Sequence, residues 1–322
     1  MEDKKPLLSI CIPTYNRAEC LDKCIASIVS QVEFNSKNIE LVISDNASTD
    51  NTEEIVKKYQ KKYQNIFYSK NEKNNTDKNF PTVIGKAHGI FRKLCNDTLI
   101  FSNGSIKHIL KIINENLKKR PVLFFMNHNN KKRWKKFYTT DCFDAFVKII
   151  SFHSTWIGCF GIWEDDFEKI ENKVDGCELH LWQTKVLFEI VERKKTTIVD
   201  NVRLFSTQEV QKKIDYGQYQ VFYENYLGLY QQYLALRVLS KNVFEYIKKH
   251  LLLDFFSVSI ANFYLYHDKY DYSSENDDYR KLISNAYHHE MYYWYYCLKL
   301  RFRIIILNIK NLKNIETSKD NS

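Results

Sequence analysis

The segment LSICIPTYNR, residues 8–17, decides how this chain begins to fold. Its apolar run from Leu8 to Ile12 stops at Pro13, which is typical of a short buried strand. The apolar residues that come next recur at helical spacing and are Leu21, Cys24, Ile25, Ile28 and Val29. A helix with one apolar stripe is therefore expected directly after the strand.

A second segment, IELVISDNASTDNTEEIV at residues 39–56, repeats the order of a strand, a polar turn and a helix. Asn51 and Glu54 have the spacing of a capping box at the start of that helix. Further strands are expected at 66–68, 90–95 and 122–126, and further helices at 81–87 and 105–117. Strands that alternate with helices at this spacing predict a Rossmann-like α/β fold with a mainly parallel central sheet.

The second half of the chain has a different pattern. Between residues 141 and 205 the pattern is mixed, with an apolar strand expected at 156–163 and a helix at 179–191. Beyond Asp215 the residues are rich in Tyr, Leu and Phe and are spaced as in helices. We therefore expect one domain over residues 1–210 and a helical region over residues 211–322.

Composition narrows the classes of function. The chain has 322 residues but only 8 glycines, which argues against a glycine-rich phosphate-binding loop. A dinucleotide-dependent oxidoreductase would carry G-x-G-x-x-G after the first strand, where this chain has PTYNR. The formal net charge of +9 is compatible with an anionic partner or with simple solubility. No nucleic-acid-binding module is recognisable, so we expect no nucleic-acid partner.

The cysteines and the N-terminus bear on the compartment. The 8 cysteines are scattered, and no pair has the CxxC spacing of zinc ligands. The first residues, MEDKKPLLSICIPTYN, lack the long apolar core of a secretory signal. These two observations predict reduced thiols in a cytoplasmic protein.

Four polar clusters follow predicted strands, and they are residues 13–17, 44–46, 77–79 and 96–98. Ligands of parallel α/β sheets bind beyond the carboxyl ends of the strands, so these clusters are the first candidates for a binding site. Each cluster taken singly is equally typical of a helix cap or a turn. Their occurrence on successive strand ends of one sheet is what favours a nucleotide-binding site.

Two of these segments resemble the opening of family 2 glycosyltransferases of the GT-A fold. They are LSICIPTYNRAECLDKCIASIVSQ at 8–31 and IELVISDNASTD at 39–50. In that family one strand ends P-T-Y-N-R, and the next ends D-N-A-S-T-D or D-D-G-S-T-D. A weaker similarity, to the abequosyltransferase-like branch, lies in YGQYQVFYENYL at 216–227. The resemblance implies a donor half at 1–128, an acceptor half at 129–210 and a helical region at 211–322 that contacts the acceptor or a membrane.

The resemblance also implies a set of donor-binding residues. Thr14, Tyr15 and Asn16 would shape the pocket for the nucleotide base, and Asp45 would accept a hydrogen bond from a base imino group. Arg17 would favour the diphosphate, with helix capping or a surface ion pair as the alternative. The full implied set is Pro13, Thr14, Tyr15, Asn16, Arg17, Asp45, Asn46, Asp77, Asn79, Lys86, Asn96 and Asp97. For Lys86 an exposed helix face is the interpretation that we favour over a donor contact.

The acidic metal motif of the family falls on Asn96-Asp97-Thr98 in this chain. Such motifs present two or three aspartates, because Mg²⁺ or Mn²⁺ takes hard oxygen ligands between the protein and the diphosphate. Here Asp97 is the one carboxylate, and Asn96 would supply a neutral oxygen. We therefore expect a weaker Mg²⁺ or Mn²⁺ site at Asp97 and Asn96 than in relatives with paired carboxylates.

The implied reaction is an inverting displacement that needs a carboxylate base for the acceptor hydroxyl. The acidic run Glu164-Asp165-Asp166 precedes a predicted helix, so we interpret it as a helix start. Glu178, which precedes the helix predicted from Leu179, is our candidate for the base, with Asp175 as the second candidate.

The segment at 291–314 interleaves aromatic, basic and aliphatic residues, and no apolar run in it approaches the ~18 residues of a spanning helix. A helix lying in the membrane interface and a helix packed against its own domain are both compatible with this pattern.

The leading hypothesis is an inverting glycosyltransferase that moves a sugar from a nucleotide-sugar donor to a glycan or lipid-linked acceptor in surface polysaccharide or lipooligosaccharide synthesis. It would lie in the cytoplasm, at the inner face of the membrane. The alternative is a catalytically impaired scaffold subunit that binds sugar nucleotides.

Overall fold

The structure, a computed structural model, describes residues 5–35, 37–127, 135–194, 196–208, 212–213, 217–265, 270–271 and 279–319. The expected boundary between residues 128 and 129, and Tyr216 at the start of the segment similar to the abequosyltransferase branch, lie outside these ranges. The chain divides into two compact units, Met1–Glu209 and Val210–Ser322. Each unit is described by itself.

The first unit is built from strands and helices that alternate along the chain. Its strands are β1 (Leu8–Thr14), β2 (Ile39–Asp45), β3 (Ile66–Lys70), β4 (Phe91–Leu94), β5 (Leu99–Phe101), β6 (Val122–Phe125), β7 (Phe137–Thr140), β8 (Gly161–Trp163), β9 (Thr197–Asp200) and β10 (Phe205–Thr207). Its α-helices are α1 (Ala18–Val29), α2 (Thr52–Gln60), α3 (Asn79–Gly85), α4 (Ser105–Asn116), α5 (Phe143–Ile150), α6 (Glu164–Glu168) and α7 (Trp182–Arg193).

The central sheet has the strand order β3-β2-β1-β4-β8. The first four of these strands are parallel, and β8 runs antiparallel beside β4. In the β1–β2 pair Leu8 lies opposite Ile39, and Thr14 lies opposite Asp45. The carboxyl ends of β1 and β2 therefore meet at one edge of the sheet, as the mainly parallel sheet predicted from the sequence requires.

The core explains why the two opening segments fold as they do. Every residue of β2 is buried, which is the pattern of a parallel strand covered on both faces. Helix α1 buries the apolar stripe that the sequence predicted, including Leu21, Ile25 and Ile28. These side chains join those of β1 and β2 in one apolar core, which fixes the position of the loops that follow each strand.

The strand expected at 122–126 forms, but it does not belong to the central sheet. Residues Val122–Phe125 pair with β9, and β9 also pairs with β7, in a separate sheet of order β6-β9-β7. An apolar run predicts a buried strand but does not encode its partner. The place next to β4 is taken by β8.

The strand expected at 156–163 is also shorter in the structure. Only Gly161–Trp163 is a strand, and short 3-10 turns at Ser151–Thr155 and Ile157–Cys159 precede it. The carbonyls of Gly158 and Phe160 accept hydrogen bonds from the buried ammonium of Lys93. Because these carbonyls serve a side chain, part of the apolar run is coiled around Lys93 instead of extended.

The second unit is helical, as expected, apart from two short paired strands. Its helices are α8 (Tyr226–Ala235), α9 (Lys241–His250), α10 (Ser257–Leu265), α11 (Tyr279–Tyr287) and α12 (Tyr293–Lys319), and the strands are β11 (Lys212–Lys213) and β12 (Tyr270–Asp271). Two π-helical turns, Gln220–Asn225 and Leu251–Phe256, lead into α8 and α10. Among the helices in the described ranges, none is both long and apolar enough to cross a membrane.

Candidate functional site

The carboxyl edge of the central sheet brings together residues from β1, from the start of α1 and from the segment after β4. Thr14, at the end of β1, donates a hydrogen bond of 2.9 Å from its hydroxyl to Oδ2 of Asp97. The guanidinium of Arg17 donates to Oδ1 of the same carboxylate over 3.2 Å. Three residues predicted to bind the donor therefore form one connected group.

Asp97 and Arg17 in this group differ in exposure. Asp97 is only 3% exposed, whereas the side chain of Arg17 is 46% exposed. Burial raises the pKa of the Asp97 carboxyl, and Arg17 and the Thr14 hydroxyl act in the opposite direction. The group thus presents a partly solvated positive charge at the strand ends, with its counter-charge buried beneath it.

The loops after β1 and β2 are fastened to each other through Asn16. Its backbone has a φ of 50°, a left-handed conformation that asparagine adopts more readily than most residues. The Asn16 amide donates to Oγ of Ser48, and its Oδ1 accepts from the amide of Thr49 over 2.8 Å. The two loops that follow the central strands therefore act as one rigid unit.

Asp50 extends this link to helix α1. Its Oδ2 accepts a 2.9 Å hydrogen bond from the amide of Ala18, so it caps a helix that lies much earlier in the sequence. Burial would raise the pKa of Asp50, but hydrogen bonds from Thr52 and Ala18 outweigh it and hold the pKa below its ordinary value. An open pocket of about 450 Å³ lies here and is lined by Asn16, Arg17, Ala18, Glu19, Cys20, Asp50 and Asn51.

Asp45 is fully buried at the end of β2. Its Oδ1 accepts from the amide of Ser48 over 2.8 Å, and its Oδ2 accepts from the hydroxyl of Tyr68 over 2.6 Å. Burial raises the pKa of Tyr68, and the bond to Asp45 adds to that shift. A contact between Asp45 and a nucleotide base stays a prediction.

Asparagine side chains hold the turn that follows β3. Asn46 donates to Oδ1 of Asn74 over 2.8 Å and accepts from Nδ2 of Asn71 over 3.2 Å. Asn79 is buried, accepts from the hydroxyl of Ser44 and donates to the Ser44 carbonyl. Asn46 and Asn79 therefore shape this edge of the site from beneath its surface.

A second pocket, of about 420 Å³, lies between the turn after β3 and the segment before α7. It is lined by Thr76, Lys78, Asn172, Val174, Asp175, Cys177 and Glu178. Beside it, Nδ1 of His180 lies 3.3 Å from Oδ2 of Asp77. The structure thus brings the predicted donor residue Asp77 into the same cluster as both candidate bases.

The two candidate bases have different surroundings. Asp175 pairs with Lys185, whose Nζ lies 2.5 Å from Oδ2. Glu178 is exposed, and its two carboxylate oxygens accept from the amide of Gly176 over 3.2 and 3.3 Å. Glu178 lies in a 3-10 turn, and α7 begins only at Trp182 because His180 adopts a left-handed φ of 56°.

The remaining predicted donor residues lie around this edge. Pro13 is half-buried, and Tyr15 is 43% exposed beside it. Lys86 lies next to the edge strand β3, where its ammonium donates to the Ser69 hydroxyl over 2.7 Å and where burial lowers its pKa. A direct donor contact for Lys86 stays a prediction.

The predicted metal ligands offer one carboxylate and one amide oxygen, and their role as a metal site stays a prediction. Both oxygens of Asp97 already accept hydrogen bonds from Thr14 and Arg17. Oδ1 of Asn96 is buried with no hydrogen-bond partner, and a single amide oxygen does not make a ligand set. Across the described part of the chain, no three His, Cys, Asp or Glu side chains are grouped so as to hold a metal ion. No step proposed below passes through a metal.

Two features of the site were not predicted from the sequence. Tyr68 lies on β3 one strand away from Asp45, and a tyrosine hydroxyl on a neighbouring strand could have been considered as its partner. His180 is not among the residues predicted from the sequence, and its contact with Asp77 depends on loops that carry no periodic signal.

Comparison with known proteins identifies a family that part of the chain matches. Residues 9–161 match the family described as glycosyl transferase family 2. The abequosyltransferase RfbV of Salmonella typhimurium is 46% identical over 85 residues, which are 26% of this chain and 25% of that protein. A Campylobacter jejuni protein, GalNAc(5)-diNAcBac-PP-undecaprenol beta-1,3-glucosyltransferase, is 32% identical over 112 residues, 34% of this chain and 35% of that protein.

Solved structures with the same fold cover more of the chain. Staphylococcus aureus TarS 1-349 in complex with UDP-GlcNAc gives a TM-score of 0.56 at 17% identity, over 79% of this chain and 76% of that chain. The mannosyltransferase PcManGT from Pyrobaculum calidifontis, solved with GDP-Man and Mn²⁺, gives 0.54 at 12% identity, over 96% and 88%. At these identities the likeness establishes the fold.

Fold and family match together define the class: residues 9–161 match glycosyl transferase family 2, and the fold is that of the GT-A glycosyltransferases. This confirms the family predicted from PTYNR and DNASTD. The chain covers no more than about a third of the length of the two curated relatives named above.

Proposed function

We propose that this chain is an inverting glycosyltransferase that moves a sugar from a nucleoside diphosphate donor to a hydroxyl of a glycan or lipid-linked acceptor. The observation that carries the proposal is the pocket shared by the Thr76–Lys78 turn and the Asp175–Glu178 segment. It places a carboxylate from the second half of the domain beside the polar loops of the donor half. An enzyme that joins two substrates needs such a meeting point.

The donor half supplies binding groups of the right chemistry. The guanidinium of Arg17 is partly solvated and suits a diphosphate, because its planar donors match phosphate oxygens. Tyr15 is exposed beside it and offers an aromatic face to a nucleotide base. Structures with this fold hold UDP-GlcNAc and GDP-Man, which supports a nucleoside diphosphate sugar as the donor here.

Glu178 is the proposed base. Its carboxylate takes the proton of the acceptor hydroxyl as the hydroxyl oxygen attacks the anomeric carbon and the bond to the diphosphate breaks. Arg17 stabilises the negative charge that develops on the leaving diphosphate. Glu178 is preferred to Asp175 because the Asp175 carboxylate is already paired with Lys185.

The acceptor class rests on the relatives. One is named as an abequosyltransferase, and another as acting on an undecaprenol-linked glycan. A glycan of surface polysaccharide or lipooligosaccharide, carried on a lipid, is the acceptor class that we propose. The reaction would then take place at the cytoplasmic face of the membrane, where nucleotide sugars and lipid-linked glycans meet.

A panel of nucleotide sugars tests the proposal. The purified chain would be assayed for donor binding and for nucleotide release, with and without Mg²⁺ and Mn²⁺ and with a glycolipid extract as acceptor. Glu178→Gln should lower turnover by at least about a hundredfold while donor affinity is retained. Asp175→Asn is the matched control and should keep most of the turnover. Turnover that survives Glu178→Gln would exclude Glu178 as the base.

The alternative, a scaffold subunit that binds sugar nucleotides without turnover, is favoured by the single and already bonded carboxylate at Asp97. Donor binding without nucleotide release, even with the glycolipid extract present, would support the scaffold. Failure to bind any nucleotide sugar would contradict both functions.

A further inference from the structure

Helix α12 has apolar side chains all around its circumference. Its inner face packs against α10 and against the π-helical turn at Leu251–Phe256, and Tyr296 and Leu300 on this face are buried. Lys299 also points inward, with its Nζ 2.9 Å from Oδ1 of Asp254. The helix is therefore fixed to its unit by one side.

The opposite side of α12 and the residues just before it form an exposed apolar face, which we call the outer face. Its side chains are between 49% and 95% exposed, and they are Met291, Trp294, Tyr295, Leu298, Phe302, Ile305, Ile306 and Ile309. At 3.6 residues per turn these positions fall within about one third of the helix circumference. An uninterrupted apolar stripe of this kind marks an interaction surface, because scattered exposed apolar residues would not align.

The charges around the outer face indicate what covers it. From residue 291 to 315 the sequence contains no Asp or Glu, and its basic residues are Lys299, Arg301, Arg303, Lys310 and Lys313. Arg301 is exposed at the margin of the outer face. Two copies of the chain that met through this face would bring like charges together, whereas anionic lipid headgroups would attract them.

The composition of the outer face agrees with a lipid surface. Trp294 and Tyr295 have large rings with a polar edge, which favours the boundary between headgroups and acyl chains. The aliphatic side chains at 305, 306 and 309 extend the outer face towards the C-terminal end of α12. A helix with an exposed apolar face and basic residues at its margin has the pattern of helices that lie in the plane of a bilayer.

We propose that the outer face of α12 binds in the plane of an anionic lipid bilayer, with its apolar side chains between the headgroups and Arg301 among the phosphates. This binding goes beyond the transferase reaction and does not depend on it. For an enzyme with a lipid-linked acceptor, it would hold the chain at the surface that carries the acceptor.

Co-sedimentation of the full chain with vesicles tests the proposal. One set of vesicles contains phosphatidylcholine alone, and the other contains phosphatidylcholine with phosphatidylglycerol. The wild type should bind the anionic vesicles, and binding should weaken as salt is raised. Trp294→Ser combined with Phe302→Ser should weaken it by at least about tenfold, because two large side chains lose their apolar burial. Arg301→Gln should weaken it roughly fivefold.

Leu236→Ser is the matched control, because Leu236 is an apolar side chain of the same unit, 65% exposed, that lies outside α12. It should leave vesicle binding unchanged. Circular dichroism and nucleotide-sugar binding by each variant show that the fold and the donor site are intact. A wild type that does not bind anionic vesicles overturns the proposal. If the wild type is a dimer by light scattering and does not bind vesicles, and if the double variant is a monomer, the outer face binds a second copy of the chain instead.

Discussion

Within the Thr14–Asp97–Arg17 group, burial disfavours the ionised form of the Asp97 carboxyl. Burial raises the pKa of Asp97, so the folded chain holds a proton on this carboxyl more readily than the unfolded chain does. Stability therefore falls as the pH rises from the pKa of this carboxyl in the unfolded chain to its higher pKa in the folded chain, and the loss is constant above that. The contacts of Asp97 with Thr14 and Arg17 at the strand ends are compatible with a role in donor binding.

Asp97→Asn should separate these two roles. An amide has no charge to bury and can still accept from Arg17, so we expect the free energy of unfolding at neutral pH to change by no more than about 1 kcal/mol. Donor affinity should fall by about tenfold or more, because the position of Arg17 depends on the carboxylate. Chemical denaturation and nucleotide-sugar titration measure the two quantities.

Asp166→Asn is the control for that substitution. Burial raises the pKa of Asp166 as well, and Lys194 lies 2.5 Å from its carboxylate. Asp166 follows β8, whose Trp163 lies opposite Phe91, so it is at the amino edge of β4. Its substitution should leave donor affinity unchanged. An equal loss of donor affinity in both variants would mean that Asp97 affects binding only by stabilising the fold.

The sequence predicted how the strand ends meet more reliably than how the loops meet. Thr14 and Asp45 end adjacent parallel strands, and their neighbourhood follows from apolar runs of similar length. The contact between Asp77 and His180 joins two irregular segments about a hundred residues apart. Nothing in a periodic pattern encodes that path, and the role of Glu178 therefore stays a prediction.

At the scale of elements, β4 shows how a buried strand can carry charge. Burial lowers the pKa of Lys93 to about 8, although its ammonium donates to the carbonyls of Leu94, Gly158 and Phe160. Between this pKa and that of an unfolded lysine, the unfolded chain binds more protons than the folded chain. The contribution of Lys93 to stability therefore rises with pH in that window.

Lys93→Met tests this contribution through its pH dependence. The free energy of unfolding of the wild type minus that of the variant should rise by about 1–2 kcal/mol between roughly pH 7 and pH 9.5. Denaturant titrations at several pH values measure the difference, in which groups common to both proteins cancel. A difference that stays constant over this pH range would mean that burial does not lower the pKa of Lys93.

The segment that leads into β4 is closed by a tight contact at Gly89. A Cβ there would lie 2.3 Å from Oγ of Ser9 and 2.8 Å from the Ser9 amide nitrogen. Ser9 is itself bonded to the buried carboxylate of Glu40, which also accepts from the Gly89 amide. The three residues hold β1, β2 and β4 together at the amino edge of the sheet.

Gly89→Ala should lower the free energy of unfolding by about 1–3 kcal/mol, because the methyl group must push against backbone. Gly85→Ala is the matched control, since its added Cβ would lie 3.7 Å from the ring of Phe167, an ordinary contact. It should be neutral, or stabilising by up to about 1 kcal/mol at the end of α3. Thermal and chemical denaturation measure both variants. Equal losses of stability in Gly89→Ala and Gly85→Ala would show that the close approach to Ser9 does not determine the effect.

At the scale of the whole molecule, the α/β fold and the helical C-terminal region were predicted correctly, and the composition of the sheets was not. The central sheet is ordered around β1, whose apolar run was the first signal in the sequence. The run at 122–126 was also identified as a strand but was assigned to the wrong sheet, because pairing depends on contacts across distant segments. The outer face of α12 needed the structure too, since helical spacing alone did not separate its packed side from its exposed side.

The cap that Asp50 places on α1 has a consequence for synthesis of the chain. The amide that it satisfies belongs to Ala18, 32 residues earlier. Until residue 50 has been added, the amide of Ala18 has no side-chain cap. The loop after β1 and the start of α1 therefore become ordered together, once β2 is present to pair with β1. A chain that ends before residue 50 would keep the apolar stripe of α1 but lose the side-chain cap at the start of that helix.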